Sequence, residues 1–83
     1  MFSVYVLFSE KYDKIYIGFT SNLEARLLSH NELGNKGWTI KFRPWKLVYS
    51  EKHQTKKEAL IREKELKSGR GRAWIRDEII ARL

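Results

Sequence analysis

The 83 residues suffice for one small domain with a thin core and little else. Hydrophobic residues make up 42% of the chain, with three Trp, four Tyr and four Phe, which excludes a disordered chain. The absence of cysteine excludes a disulfide framework, a thiolate metal site and a cysteine nucleophile.

Seventeen Lys and Arg stand against ten Asp and Glu, a formal net charge of +7. Such a balance suits a polyanionic partner, nucleic acid above all, although a merely solubilising basic surface has the same composition. No apolar run is long enough to cross a bilayer. The opening MFSVYVLFSEKY is too short for a signal peptide and lacks its basic n-region, so the expectation is a soluble, cytoplasmic protein with no membrane partner.

Phe2 to Phe8 alternates, with Phe2, Val4, Val6 and Phe8 on one face and Ser3, Tyr5 and Leu7 on the other. After the polar connection Ser9 to Asp13, Ile15, Ile17 and Phe19 alternate with Lys14, Tyr16 and Gly18, which predicts a hairpin. If both aliphatic faces cover one core, Tyr5 and Tyr16 share the opposite face. Ordinary cross-strand aromatic packing would account for such a pair equally well.

Ser21-Asn22-Leu23-Glu24 has the form of a capping box with Ser21 as N-cap, opening a helix through roughly Asn31. Arg26 and His30 are spaced i, i+4 and can address one ligand, or serve as a solvated charge and a helix-end residue. Glu32 to Arg43 reads as a long loop in which Lys36, Lys41 and Arg43 surround Trp38 and Phe42. Basic groups interleaved with an aromatic suit a nucleic-acid backbone, while Trp38 is also a candidate core anchor. From Pro44 onward, Trp45, Leu47 and Tyr49 alternate with Lys46, Val48 and Ser50, a third strand.

Thr55-Lys56-Lys57-Glu58 is a second capping box, and Ser68-Gly69 ends its helix. Ala59, Leu60 and Leu66 form the inward stripe of that helix, and Glu63 lies in the middle of it. A carboxylate there needs a partner: either Lys67 one turn on, or a hard divalent cation such as magnesium or manganese. Arg70-Gly71-Arg72 follows, and then a last helix from about Ala73 to Leu83 with Ile75, Ile79 and Leu83 inward. Three strands and about three helices predict an α+β domain, a small three-stranded antiparallel sheet flanked by helices, over residues 1–83.

Taken in order, Ser3-Val4-Tyr5, Tyr16-Ile17-Gly18, Arg26 with His30, and the helix bearing Glu63 resemble the GIY-YIG nuclease domain over nearly the whole chain. IYIGFTSNLEARLLSHN and EALIREKELK resemble its small single-domain bacterial members. Ser3 and Val4 replace the first Gly and Ile, Phe19 stands where many relatives are basic, and no asparagine occurs between Arg70 and Asp77.

The resemblance implies divalent-metal-dependent hydrolysis of DNA phosphodiesters, cutting one strand at a time or selecting a DNA structure, with a role in repair or recombination. It assigns Tyr5 as general base or water-positioning phenol and Tyr16 as its partner; His30 is a secondary catalytic candidate that could take the proton instead or hold Tyr5 by hydrogen bonding. Arg26 would be the phosphate clamp and Glu63 the metal ligand. Lys36, Lys41, Arg43, Lys67, Arg70 and Arg72 are the candidate DNA contacts, and RNA fits the same residue types. No small-molecule cofactor is implied, and a protein partner that supplies specificity is compatible with so small a domain. The alternative is a basic nucleic-acid-binding module of the same fold with little or no cleavage of its own.

Overall fold

The structure is a computed structural model that describes residues 1–34 and 37–83. The predicted hairpin is present as β1 (Phe2–Ser9) and β2 (Lys14–Thr20). Asp13 closes its turn at φ 53°, a left-handed conformation that Asp tolerates better than most residues. Arg76 then ties this turn to the C-terminal helix by donating to Asp13 Oδ1 at 2.9 Å.

With β3 (Lys46–His53) the sheet has the order β2-β1-β3, antiparallel throughout. As the middle strand, β1 is covered on both faces, and Val4 to Ser9 are all buried. The predicted partition of its side chains holds. Val4, Val6 and Phe8 join Ile15 and Ile17 in one core cluster, while Tyr5 and Leu7 join Trp45 in the other.

The strict alternation expected for β3 does not hold. Val6 pairs with Tyr49 but Leu7 with Leu47, so the register shifts between them and Val48 is the extra residue of a bulge. Leu47 therefore packs on the tyrosine face, whereas Tyr49 packs on the aliphatic one.

Beyond β2, α1 (Leu23–Leu28) is capped by Asn22, whose Oδ1 accepts from Ala25 N at 3.1 Å. The expected cap was Ser21. Thr20 Oγ1 accepts from Asn22 N and so fixes the extended cap conformation one residue later than the capping-box pattern implies. The chain continues from α1 through a π-helical turn, Ser29–Leu33, closed by Gly34 N donating to Ser29 O at 2.9 Å. A 3₁₀ turn, Trp38–Phe42, then leads through a cis Arg43–Pro44 peptide into β3.

Helix α2 (Lys56–Lys67) carries the predicted Thr55 capping box. Ala59 and Leu66 are buried against the aliphatic face of the sheet, but Leu60 is 41% exposed, so the inward stripe is narrower than expected. Helix α3 is Gly69–Glu78, four residues earlier in its start than the sequence suggests. Ser68 ends α2 and caps α3 at once, its Oγ donating to Glu65 O and accepting from Gly71 N. Arg70 and Arg72 are thus helical residues. Ile75 is buried and Ile79 half-buried, whereas Leu83, expected inward, is 63% exposed.

The result is an α+β domain with α2 and α3 on one face of the sheet and α1 with its two following turns on the other. Among the described residues no helix is long and apolar enough to cross a membrane.

Candidate active site on the tyrosine face

Register decides how the two tyrosines meet. Tyr5 pairs across the strands with Gly18, and Tyr16 pairs with Leu7, so the phenols are diagonal neighbours with ring centroids 6.1 Å apart. The ring of Tyr5 lies over Gly18. A Cβ at that position would stand 2.8 Å from Tyr5 Oη and 2.9 Å from its Cζ, closer than real contacts allow. Gly18 is therefore the residue that lets Tyr5 lie flat across the sheet. Gly18→Ala is expected to displace the phenol, to lower stability by about 1–3 kcal/mol, and to depress activity further than that loss explains. Thermal melts and cleavage rates on the same preparation check this.

The π-helical turn brings His30 onto both phenols. Its Nε2 is 3.0 Å from Tyr5 Oη, and its ring centroid is 4.6 Å from that of Tyr16. Tyr5 and His30 are both buried. Burial pushes the Tyr5 phenol above its ordinary value, and the neighbouring Arg26 guanidinium, which pulls it down, does not overcome that. Burial, together with the charges of Arg26 and Arg43, pushes His30 down. A protonated phenol and a neutral imidazole are the complementary forms, and in the imidazole tautomer protonated on Nδ1 the Tyr5 O–H donates to His30 Nε2.

His30 thus favours its neutral form. Its contribution to stability is complete above its unfolded value near 6.5 and is lost as pH falls through the lower folded value. Thermal melts between about pH 7 and pH 5 should show wild type losing more stability than His30→Gln. Equal slopes would mean that the imidazole is not the group titrating.

Arg26 is exposed and lies beside both phenols; interaction with Tyr5 is the main influence raising its pKa, with a smaller one from Tyr16. A cavity of about 250 Å³ opens over Tyr16, Arg26, His30 and Trp38. Four of the five predicted catalytic residues, Tyr5, Tyr16, Arg26 and His30, are therefore together.

Glu63 is not among the residues that line this cavity. Its side chain, 15% exposed on α2, pairs with Lys67 at 3.4 Å, and Lys67 lines a second cavity that reaches Tyr16. Among the described residues no group of three His, Asp or Glu is placed to share a metal ion. A lone carboxylate on a rigid helix still fits magnesium, which takes one or two protein carboxylates, keeps several waters and shares substrate phosphates.

The predicted DNA contacts separate. Lys67 and Arg72 line the cavity beside Tyr16, whereas Arg70 lines a different one with Arg62 and Trp74. Lys41 is exposed on the 3₁₀ turn, and Lys36 lies outside the described residues. Arg43 points inward, donating to the carbonyls of His30, Ser29 and Gly34, and so holds the π-helical turn in place.

Two supports escaped the sequence reading. Asn31 pairs by its amide with both backbone groups of Trp45 at 2.6 and 2.9 Å, which docks the turn onto the start of β3. Lys14 and Arg76 join Lys67 and Arg72 in the second cavity, and their separation in sequence left no local signal of it.

Residues 1–74 match the GIY-YIG catalytic domain. A UPF0213 protein of Staphylococcus haemolyticus is 41% identical over 58 residues, 70% of this chain and 71% of the relative. A UPF0213 protein of Staphylococcus saprophyticus is 41% identical over 54 residues, 65% of this chain and 66% of the relative. No solved structure matches the chain. On the family match and on these relatives, the chain belongs to the GIY-YIG catalytic domain family, whose activity is in general that of a nuclease.

Proposed function

We propose that the protein is a divalent-metal-dependent DNA endonuclease that hydrolyses one phosphodiester per engagement. The observation that carries this reading is the Tyr5–His30 hydrogen bond of 3.0 Å with the Arg26 guanidinium beside it.

Hydrolysis needs a proton acceptor near the attacking water and positive charge near the phosphate oxygens. Tyr5 positions the water and relays its proton toward the neutral imidazole of His30. This division follows from the pKa directions, because a phenol raised by burial stays protonated and cannot be the base alone, whereas a lowered His30 is neutral at ordinary pH and has a lone pair to accept with. Tyr16 packs against both rings and holds them in place. Arg26 clamps the scissile phosphate as the one cationic side chain beside both phenols among the described residues. Glu63 would hold the magnesium or manganese ion, which supplies Lewis-acid stabilisation of the phosphate and its leaving oxygen when bound.

A second reading is a DNA-binding module with little cleavage of its own, and the Glu63–Lys67 ion pair favours it, since the ammonium occupies the one carboxylate offered to a metal. Incubation with supercoiled plasmid separates the two. The nuclease reading expects open circles with magnesium or manganese and none with chelator. Tight DNA binding with intact plasmid and intact branched DNA under both metals would instead establish the module. A role in repair or recombination, and a protein partner that adds specificity, belong to the same proposal.

A further inference from the structure

Trp38 has no part in the chemistry described so far. It opens the 3₁₀ turn directly after Gly37, whose φ of 103° is a left-handed conformation that glycine supplies without strain. Its ring packs on Phe42 and Trp45 at centroid distances of 4.6 and 5.7 Å. Trp45 is itself pinned, its indole N–H donating to Thr39 O at 2.7 Å, and it meets Tyr16 at 6.3 Å. One side of Trp38 is thus backed by a rigid aromatic stack that ends in the catalytic cluster.

An indole serving only as a core anchor would be covered, yet Trp38 is 46% exposed. It also stands where two cavities meet. The smaller holds Arg26 and His30, and Trp38 and Tyr16 line both. The larger, about 420 Å³, is lined by four cations, Lys14, Lys67, Arg72 and Arg76, and by one carboxylate, Asp13. Asp13 is engaged by Arg76 at 2.9 Å and Lys67 by Glu63 at 3.4 Å, and with Lys14 and Arg72 added the cleft still presents net positive charge to solvent. Its charge complements a phosphate backbone, and its wall carries an aromatic platform.

We propose that Trp38 stacks an unpaired base adjacent to the scissile phosphate while Lys14, Lys67 and Arg72 hold the neighbouring phosphates of the same strand. The substrate class is accordingly DNA with an unpaired nucleotide at the cut, such as a flap, fork or bubble. In a continuous duplex both faces of each base are covered by its neighbours, so an indole can stack only on a base already out of the helix or one flipped at a cost. Placement of the unpaired nucleotide at the cut rests on the nuclease reading; the binding preference does not.

The test is equilibrium binding in chelator of a labelled duplex and of the same duplex with a short unpaired flap. Stacking on an aromatic side chain contributes about 1–3 kcal/mol per base, so wild type should bind the flap roughly 5- to 150-fold more tightly. Trp38→Ala should lose that preference, the two DNAs then binding alike, and Trp38→Phe, which keeps a ring on Phe42 and Trp45, should retain most of it. Equal binding of both DNAs by wild type, or a preference that survives in Trp38→Ala, overturns the proposal. Because chelator blocks cutting, a flap preference without cleavage under any metal sinks the nuclease reading alone. Cleavage of fully paired duplex as fast as of flap sinks this inference and leaves the nuclease standing.

Discussion

Tyr5→Phe should reduce the single-turnover cleavage rate by about 100-fold or more, because general acid–base groups contribute about 10²–10⁴ to such reactions. The substitution removes one oxygen from a fully buried ring and leaves the ring itself over Gly18. It also deprives His30 Nε2 of its partner at 3.0 Å. The imidazole then keeps its burial but has no relay to the water, so the loss should fall on the rate and not on DNA affinity. A variant whose rate stays within about threefold of wild type would remove Tyr5 from the chemistry and return it to aromatic packing.

Glu63→Gln is the second large effect. The amide keeps the shape of the side chain but has no charge to attract a divalent cation or to form the ion pair with Lys67, whose ammonium now lies 3.4 Å from the carboxylate. Cleavage should fall by about 100-fold or more at any magnesium concentration, since stabilisation of the transition-state charge is the largest single contribution in phosphoryl chemistry. DNA binding in chelator should hold or rise slightly, because one negative charge near the cleft is gone. A magnesium titration of rate, beside a binding curve, checks both halves. Cleavage at the wild-type rate would show that the metal is held elsewhere.

Much of this site was legible from residue order. Period-2 alternation in β1 and β2 was enough to place Tyr5 and Tyr16 on one sheet face, because adjacent strands that bury one aliphatic set must turn the other set together. The i, i+4 spacing of Arg26 and His30 carried them to the same place. What alternation cannot reveal is a bulge: the extra residue Val48 moves Tyr49 across the sheet, where its hydroxyl donates to Glu51 at 2.9 Å.

Helix ends were misplaced for a related reason. Several capping residues stood side by side, and tertiary hydrogen bonds chose among them, Asn22 over Ser21 through Thr20, and Ser68 as a cap for two helices. The long loop hid the most. Arg43 looked like a phosphate contact by composition, but the open carbonyls of the π-helical turn claim its guanidinium. The cleft of Lys14, Lys67, Arg72 and Arg76 draws on β2, α2 and α3, and no window of sequence contains it.

The hydrolytic site can be tested most directly with a labelled flap substrate, magnesium, and enough protein to saturate the DNA, comparing wild type with Arg26→Ala. Arg26 is exposed, so its removal should leave the fold intact while taking away the guanidinium beside Tyr5 and Tyr16 that is proposed to clamp the phosphate. Wild type should cut one strand, and Arg26→Ala should cut it at least about 100-fold more slowly at full occupancy. Equal rates in the two proteins would contradict the site.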